Sequence, residues 1–165
     1  MESKKTRRNF LVSASKATGT TAGVLVLGSN GIAKEGKPTR KVITRPGQRL
    51  APTALFSPAI QFGSVVYVSG QTAHDPATGK LVSGTFHDQV RQCLENLKAV
   101  VEAAGSSMDR VLKCTVFLTD ISNFQSMNEV YHTYFPANPP ARSTVAVKEL
   151  AGDTPVEIDC FAHTS

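Results

Sequence analysis

The chain has 165 residues, 41% of them hydrophobic, which suits one domain with a core of its own. Its formal net charge of +5 invites a nucleic-acid reading, but residues 50–165 carry seven basic and eleven acidic side chains. A globular part that is net acidic is a poor phosphate binder by field alone, so RNA- or DNA-binding is excluded as the main expectation.

The excess of positive charge lies at the start. Residues 1–33 hold Lys4, Lys5, Arg7, Arg8 and Lys16 against one acid, Glu2. Thr6-Arg7-Arg8-Asn9-Phe10-Leu11 resembles a twin-arginine export pattern. The apolar stretch Ala17–Leu27 follows, too short for a membrane span, which needs about 20 apolar residues. Gly31-Ile32-Ala33 then supplies small residues where a signal peptidase would cut. The expectation is a signal peptide over 1–33, a periplasmic destination and no stable membrane insertion once it is removed. A basic linker is expected over 34–40, and a single domain over 41–165.

Along the domain, a short strand is expected near Lys41–Thr44 and a second extended piece over Leu55–Ile60, interrupted by Pro58. Ser64–Ser69 reads as a compact strand ending at Gly70, and Asp75-Pro76 to Gly79-Lys80 as a turn. Thr85 and Asp88 form the start of a capping box. Val90, Cys93, Leu94, Leu97, Val100, Val101 and Ala104 follow at helical spacing, and Gly105 stops the helix. Val111–Leu118 reads as a strand. Asp120 or Ser122 caps a second helix, with Phe124, Met127, Tyr131, Tyr134 and Phe135 on its apolar stripe and Pro136 at its end.

The run from Asn138 to Ala162 reads as two strands joined by a turn at Gly152, Asp153 and Pro155. The first opens with Arg142 behind two prolines. The second alternates, with Val156, Ile158, Cys160 and Ala162 on one face and Glu157, Asp159, Phe161 and His163 on the other. This places a guanidinium and a carboxylate on neighbouring pieces of one sheet. Arg142 is suited to clamp a carboxylate bidentately and Glu157 to hold or activate a water. The plain alternative is a structural Arg–Glu pair at a sheet end.

The expected order is β–β–α–β–α–β–β, an α+β fold with two helices on one face of a mixed sheet. The other face, expected to carry Thr144 and Ala146 with Glu157, Asp159 and Phe161, points to an oligomer enclosing a polar pocket. Cys93, Cys114 and Cys160 have no short spacing, and His74, His87, His132 and His163 show no metal pattern. The cysteines are expected to be buried free thiols, and no metal site is expected.

Taken together, PARSTVAVKEL and PVEIDCFA resemble the C-terminal signature of the Rid (reactive intermediate deaminase, RidA/YjgF-type) family. VYVSGQTAHDPATGKL is similar to its strand–SGQ–turn segment, HDQVRQCLENLKAVVEAAG to its first helix, and VLKCTVFLTDISNFQSMNEVYHTYF to its second strand–helix unit. The resemblance spans about Lys41 to His163. It implies a chorismate-mutase-like fold, a homotrimer with inward-facing sheets, and a pocket at each subunit interface. It also implies cofactor-free hydrolysis of enamines and imines of amino acids, of the 2-aminoacrylate type, to 2-oxo acids and ammonia.

Carried over by position, Arg142 matches the arginine that binds the substrate carboxylate, and Glu157 the acid that positions water. Ser69 and Gly70 match the pocket-lining SGQ stretch, and Asn128 the asparagine of the site. Phe56 stands where tyrosine is common, and Thr144 where many members have cysteine, both lining the substrate site. A non-catalytic trimer that binds small carboxylates through Arg142 is the alternative function.

Overall fold

The computed structural model describes residues 37–164. The expected signal sequence lies outside the described residues. Three strands come first: β1 (Arg40–Ile43), β2 (Ala59–Phe62) and β3 (Val65–Thr72). Then follow helix α1 (Phe86–Ala103), β4 (Val111–Leu118), helix α2 (Phe124–Tyr134), β5 (Ala141–Ala146) and β6 (Val156–His163). The expected order is therefore one strand short before the first helix. The piece expected over Leu55–Ile60 starts later, at Ala59, because Pro58 has no N–H to give a ladder.

Helix α1 begins as its sequence dictates. The Thr85 side chain accepts from the Asp88 N–H while the Asp88 carboxylate accepts from the Thr85 N–H, closing a capping box. Gly105, at φ +78°, turns the chain out of the helix in the left-handed region that a side chain disfavours. The α1 stripe of Val90, Leu94, Leu97 and Val101 is fully buried against the sheet. Asp120 caps a short 3-10 turn through the Ser122 N–H, and α2 follows it directly.

The six strands form one mixed sheet in the order β1-β2-β3-β6-β4-β5. All pairings are antiparallel except β4 with β5, which is parallel and joined by α2 as a crossover. β5 and β6 are therefore not neighbours, because β4 lies between them. This corrects the expected hairpin-like pair. The reason is burial. The inward row of β6, from Val156 to Ala162, is essentially inaccessible, so β6 takes a central place, whereas every residue of β5 keeps some exposure and β5 takes the edge.

β3 and β6 lose register between Val68 and Gln71. Val68 faces Cys160 and Gln71 faces Ile158, so β3 carries one residue more than its partner over that interval. The bulge lets both Val68 and Gln71 point into the core although an odd number of steps separates them. Cys93, Cys114 and Cys160 are buried with free thiols. Burial pushes all three above the ordinary thiol range, Cys114 to about 11, so none is a ready nucleophile. Among the described residues, no helix is long and apolar enough to cross a membrane.

Candidate functional site: two half-sites on opposite faces

Arg142 and Glu157 occupy opposite faces of the sheet. Arg142 pairs with Cys114, which points into the core, so its side chain leaves on the helix-covered side. Glu157 pairs with Thr72 on one side and Phe117 on the other and points to the open face. The expectation that the two stand on neighbouring pieces of one sheet is corrected: β4 lies between their strands, the two side chains leave on opposite faces, and no Arg142–Glu157 ion pair forms among the described residues. Thr144 and Ala146 are corrected likewise. They pair with the buried Val116 and Leu118 and lie on the helix side, so the open face lacks them.

The first half-site is a cleft of about 420 Å³ between α2 and β5, lined by Asn128, Tyr131, His132, Phe135, Pro139, Pro140 and Arg142. The Arg142 guanidinium carbon stands 4.6 Å from the Tyr131 ring centre and 5.7 Å from that of Phe124. These are cation–π distances, and the two rings hold the fork over the aromatic face of α2. Burial pushes the Tyr131 phenol above its ordinary range, which keeps that ring neutral under the cation. Among the described residues no carboxylate pairs with Arg142. Thr144, two residues on and facing the same way, has a buried hydroxyl without a partner. A guanidinium with its fork unpaired, beside spare hydrogen-bonding groups, has the chemistry to hold a small carboxylate.

The second half-site is a cleft of about 470 Å³ on the open face, lined by Phe56, Ser69, Gly70, Thr72, Ala151 and Glu157. The β3 bulge builds it. Ser69 Oγ donates to the Ser57 carbonyl at 2.7 Å, tying the bulge to the loop that carries Phe56. A Cβ on Gly70 would overlap the Glu157 carboxyl group, so only glycine lets that carboxyl lie across the strand. Burial raises the Glu157 pKa above the ordinary carboxylate range, and the charge of Asp159 raises it further. Asp159 Oδ1 itself accepts from the Thr115 N–H at 3.1 Å. No hydrogen bond or cation engages the Glu157 carboxyl among the described residues. Phe56 is 72% exposed and forms an apolar wall without a hydroxyl.

The structure thus gathers Arg142 and Asn128 in one cleft, with Thr144 on the same side of β5. It gathers Phe56, Ser69, Gly70 and Glu157 in the other. Two contributors went unnoticed in the sequence. Tyr131 is buried, as its place on the apolar stripe predicts, and its further role as a shelf for Arg142 follows only from the parallel placement of β5. Gln71 was not singled out, although it is buried inside the SGQ segment and its Nε2 donates to the Ser69 carbonyl at 2.8 Å. Among the described residues no group of three or more His, Cys, Asp or Glu is placed to hold a metal ion.

The open face beyond the Glu157 cleft is partly apolar. Tyr67 and Phe161 make an edge-on ring contact with centroids 5.3 Å apart, and both remain close to half exposed, as does Val145. Such a patch on a sheet face is characteristic of a surface that meets another subunit.

A mixed six-stranded sheet covered on one face by two helices, with a cleft around Arg142 on one side and a cleft around the half-buried Glu157 on the other, defines the class. The model of the endoribonuclease L-PSP family matches residues 46–164, and the chain belongs to that family, which is also the Rid (YjgF) family. A RutC family protein of Pyrococcus horikoshii is 46% identical over 112 residues, covering 68% of this chain and 89% of its own length. The 2-iminobutanoate/2-iminopropanoate deaminase of mouse is 39% identical over 125 residues, covering 74% of this chain and 90% of its own. Among solved structures, Escherichia coli TdcF with bound serine superposes with a TM-score of 0.67 at 38% identity, covering 76% of this chain and 99% of that one. Family and relatives support a reactive-intermediate deaminase at the level of the family.

Proposed function

We propose that this protein hydrolyses reactive enamine and imine intermediates of amino acids to 2-oxo acids and ammonia, at sites shared between the subunits of a homotrimer. One observation carries the reading. Among the described residues Arg142 has no carboxylate partner and Glu157 no cation, and the two lie on opposite faces of one subunit. Symmetry-related copies packing open face to edge bring one subunit's Glu157 cleft against Arg142 of the partner subunit, and each charge then finds its counterpart through the substrate.

In this mechanism Arg142 binds the substrate carboxylate bidentately, aided by Asn128 and the Thr144 hydroxyl. The bulge at Ser69–Gly70 and the wall of Phe56 hold the imine carbon over Glu157. Glu157 accepts a proton from water as the water oxygen bonds to the protonated imine carbon. It returns that proton to the nitrogen of the carbinolamine. The C–N bond then breaks and ammonia leaves with the bonding pair, while the hydroxyl gives its proton to the Glu157 carboxylate and becomes the carbonyl of the 2-oxo acid; Glu157 passes that proton on to the ammonia or to solvent. A carboxyl pKa raised by burial suits this exchange better than an ordinary one. General acid–base help of this kind is typically worth ~10²–10⁴-fold, which fits a reaction that also runs in free water. The acidic balance of residues 50–165 supports this reading over one on RNA. The twin-arginine-like start supports export to the periplasm, which cell fractionation tests.

The direct test follows 2-oxo acid release from imines generated by an amino-acid oxidase, with Arg142→Ala and Glu157→Gln as controls. Acceleration over the spontaneous rate that both changes abolish supports the deaminase. A folded trimer that accelerates no imine but binds 2-oxo acids through Arg142 moves the assignment to a carboxylate binder.

A further inference from the structure

A third cleft, of about 220 Å³, adjoins the Glu157 cleft and shares Phe56, Gly70 and Thr72 with it. Its distinctive group is Arg45, on the segment after β1. One arm of this half-buried guanidinium, Nη2, donates to Gln71 Oε1 at 2.5 Å. Its Nε is buried and has no partner, and among the described residues no carboxylate lies within ion-pair distance of it. The one acid lining the cleft, Asp75, is committed to its own turn, accepting from the Ala77 N–H at 2.7 Å and the Thr78 N–H at 3.4 Å. Burial also pushes the Arg45 pKa below the usual guanidinium value, which is what an uncompensated cation in a half-dry site experiences. A guanidinium keeps its proton in proteins, so the site retains a positive charge and a free donor that lack an anion.

We propose that Arg45 is a second anion-binding group of the same site and that the preferred substrates are imines of acidic amino acids, with a second carboxylate on the side chain. The inference rests on the deaminase reading for the reaction but not for the binding. The ligand's first carboxylate lies on Arg142 of the partner subunit, its reacting carbon lies over Glu157, and its side chain runs past Phe56 to Arg45. A phenylalanine at that wall offers the methylene chain an apolar surface. The free Nε–H supplies one charge-assisted bond to the distal carboxylate.

The competing role for Arg45 is purely positional: through Gln71 and the Ser69 carbonyl it stiffens the bulge. The two roles separate by selectivity. Turnover by the full-length protein is compared on imines generated by amino-acid oxidases from glutamate or aspartate and from alanine, in wild type, Arg45→Gln and Arg45→Lys. The expected result is a wild-type preference in kcat/KM for the acidic imines that falls about tenfold to a hundredfold in Arg45→Gln, with Arg45→Lys between. An equal loss on both kinds of imine, or a wild type that prefers the alanine imine, overturns the proposal.

Should the variants lose their assembly, calorimetric titration of the wild type with 2-oxoglutarate and with pyruvate decides. Tighter binding of the dicarboxylate supports the subsite, and equal or weaker binding overturns it. If no imine is turned over while the dicarboxylate still binds more tightly, the deaminase reading falls and the subsite stands.

Discussion

The Arg142 cleft and the Glu157 cleft solve opposite electrostatic problems with different materials. Around Arg142 the support is aromatic and comes from a helix: Tyr131 and Phe124 lie 4.6 and 5.7 Å from the guanidinium and stabilise its charge without consuming its hydrogen-bond donors. Around Glu157 the support is backbone. A bulge and a side-chain-free Gly70 make room for a carboxyl group whose ionisation is disfavoured by burial and by Asp159. The guanidinium lies over rings that leave its donors free, whereas the acid stands where burial and a like charge disfavour its ionisation. That contrast is what a binding group and a proton-transferring group respectively need, and the opposite faces of the sheet keep the two from neutralising each other inside one subunit.

The largest expected effect breaks the comparison by mixing subunits. Arg142→Ala and Glu157→Gln each lower turnover by at least ~10²-fold. Co-expressed and randomly assembled, the two inactive chains place both native groups in about a quarter of the sites when each site is shared between neighbours. Activity recovered to that order in the mixed protein locates the site between subunits, and no recovery locates both groups in one chain.

Next in size is Gly70→Ala. The new Cβ displaces the Glu157 carboxyl while the Arg142 cleft is untouched, so kcat drops about 10²-fold with 2-oxo acid affinity largely kept. Steady-state kinetics beside an equilibrium titration reads the split, and a parallel loss of affinity would join the two clefts that the fold separates.

Tyr131→Leu is expected to act on the other side. Loss of the cation–π shelf is worth roughly 0.5–2 kcal/mol, so KM rises ~2- to 30-fold with a smaller change in kcat.

The smallest effect is one of pH. In the proposed mechanism Glu157 works as a carboxylate, so turnover is expected to fall as pH drops through its raised pKa, with an acid limb above that of an ordinary glutamate. Asp159→Asn keeps an acceptor for the Thr115 N–H and removes the like charge, so the Glu157 pKa falls and the limb moves to lower pH. A limb unmoved by this change assigns the whole shift to burial.

Local chemistry made much of the molecule legible in advance. The capping box at Thr85, the α1 stripe, the strand alternation of Val156–His163 and the left-handed Gly105 follow from side-chain spacing and backbone sterics within a few residues. Arg142, Asn128, Phe56, Ser69, Gly70 and Glu157 stood out too, as types in motifs, whereas Gln71 and the shelf role of Tyr131 did not. The partition of these residues between the two half-sites was not legible. Arg142 and Glu157 are 15 positions apart in a stretch that reads as two strands and a turn, and local pattern favours pairing such strands directly.

What decided otherwise is competition for the centre of the sheet. β6 carries an unbroken buried row and pairs on both edges. β5, reached from β4 through α2, pairs in parallel and takes the outer edge. That one choice turns Arg142 and Thr144 toward the helices, makes the core residue Tyr131 a shelf as well, and leaves Glu157 on the open face. The register shift at Ser69–Gly70, which spacing alone does not reveal, then gives that glutamate its place. The sequence by itself determined which elements form and which side-chain types they present, because those depend on near neighbours. Which face each residue serves depends on strand order, and strand order is set by burial summed over the whole sheet.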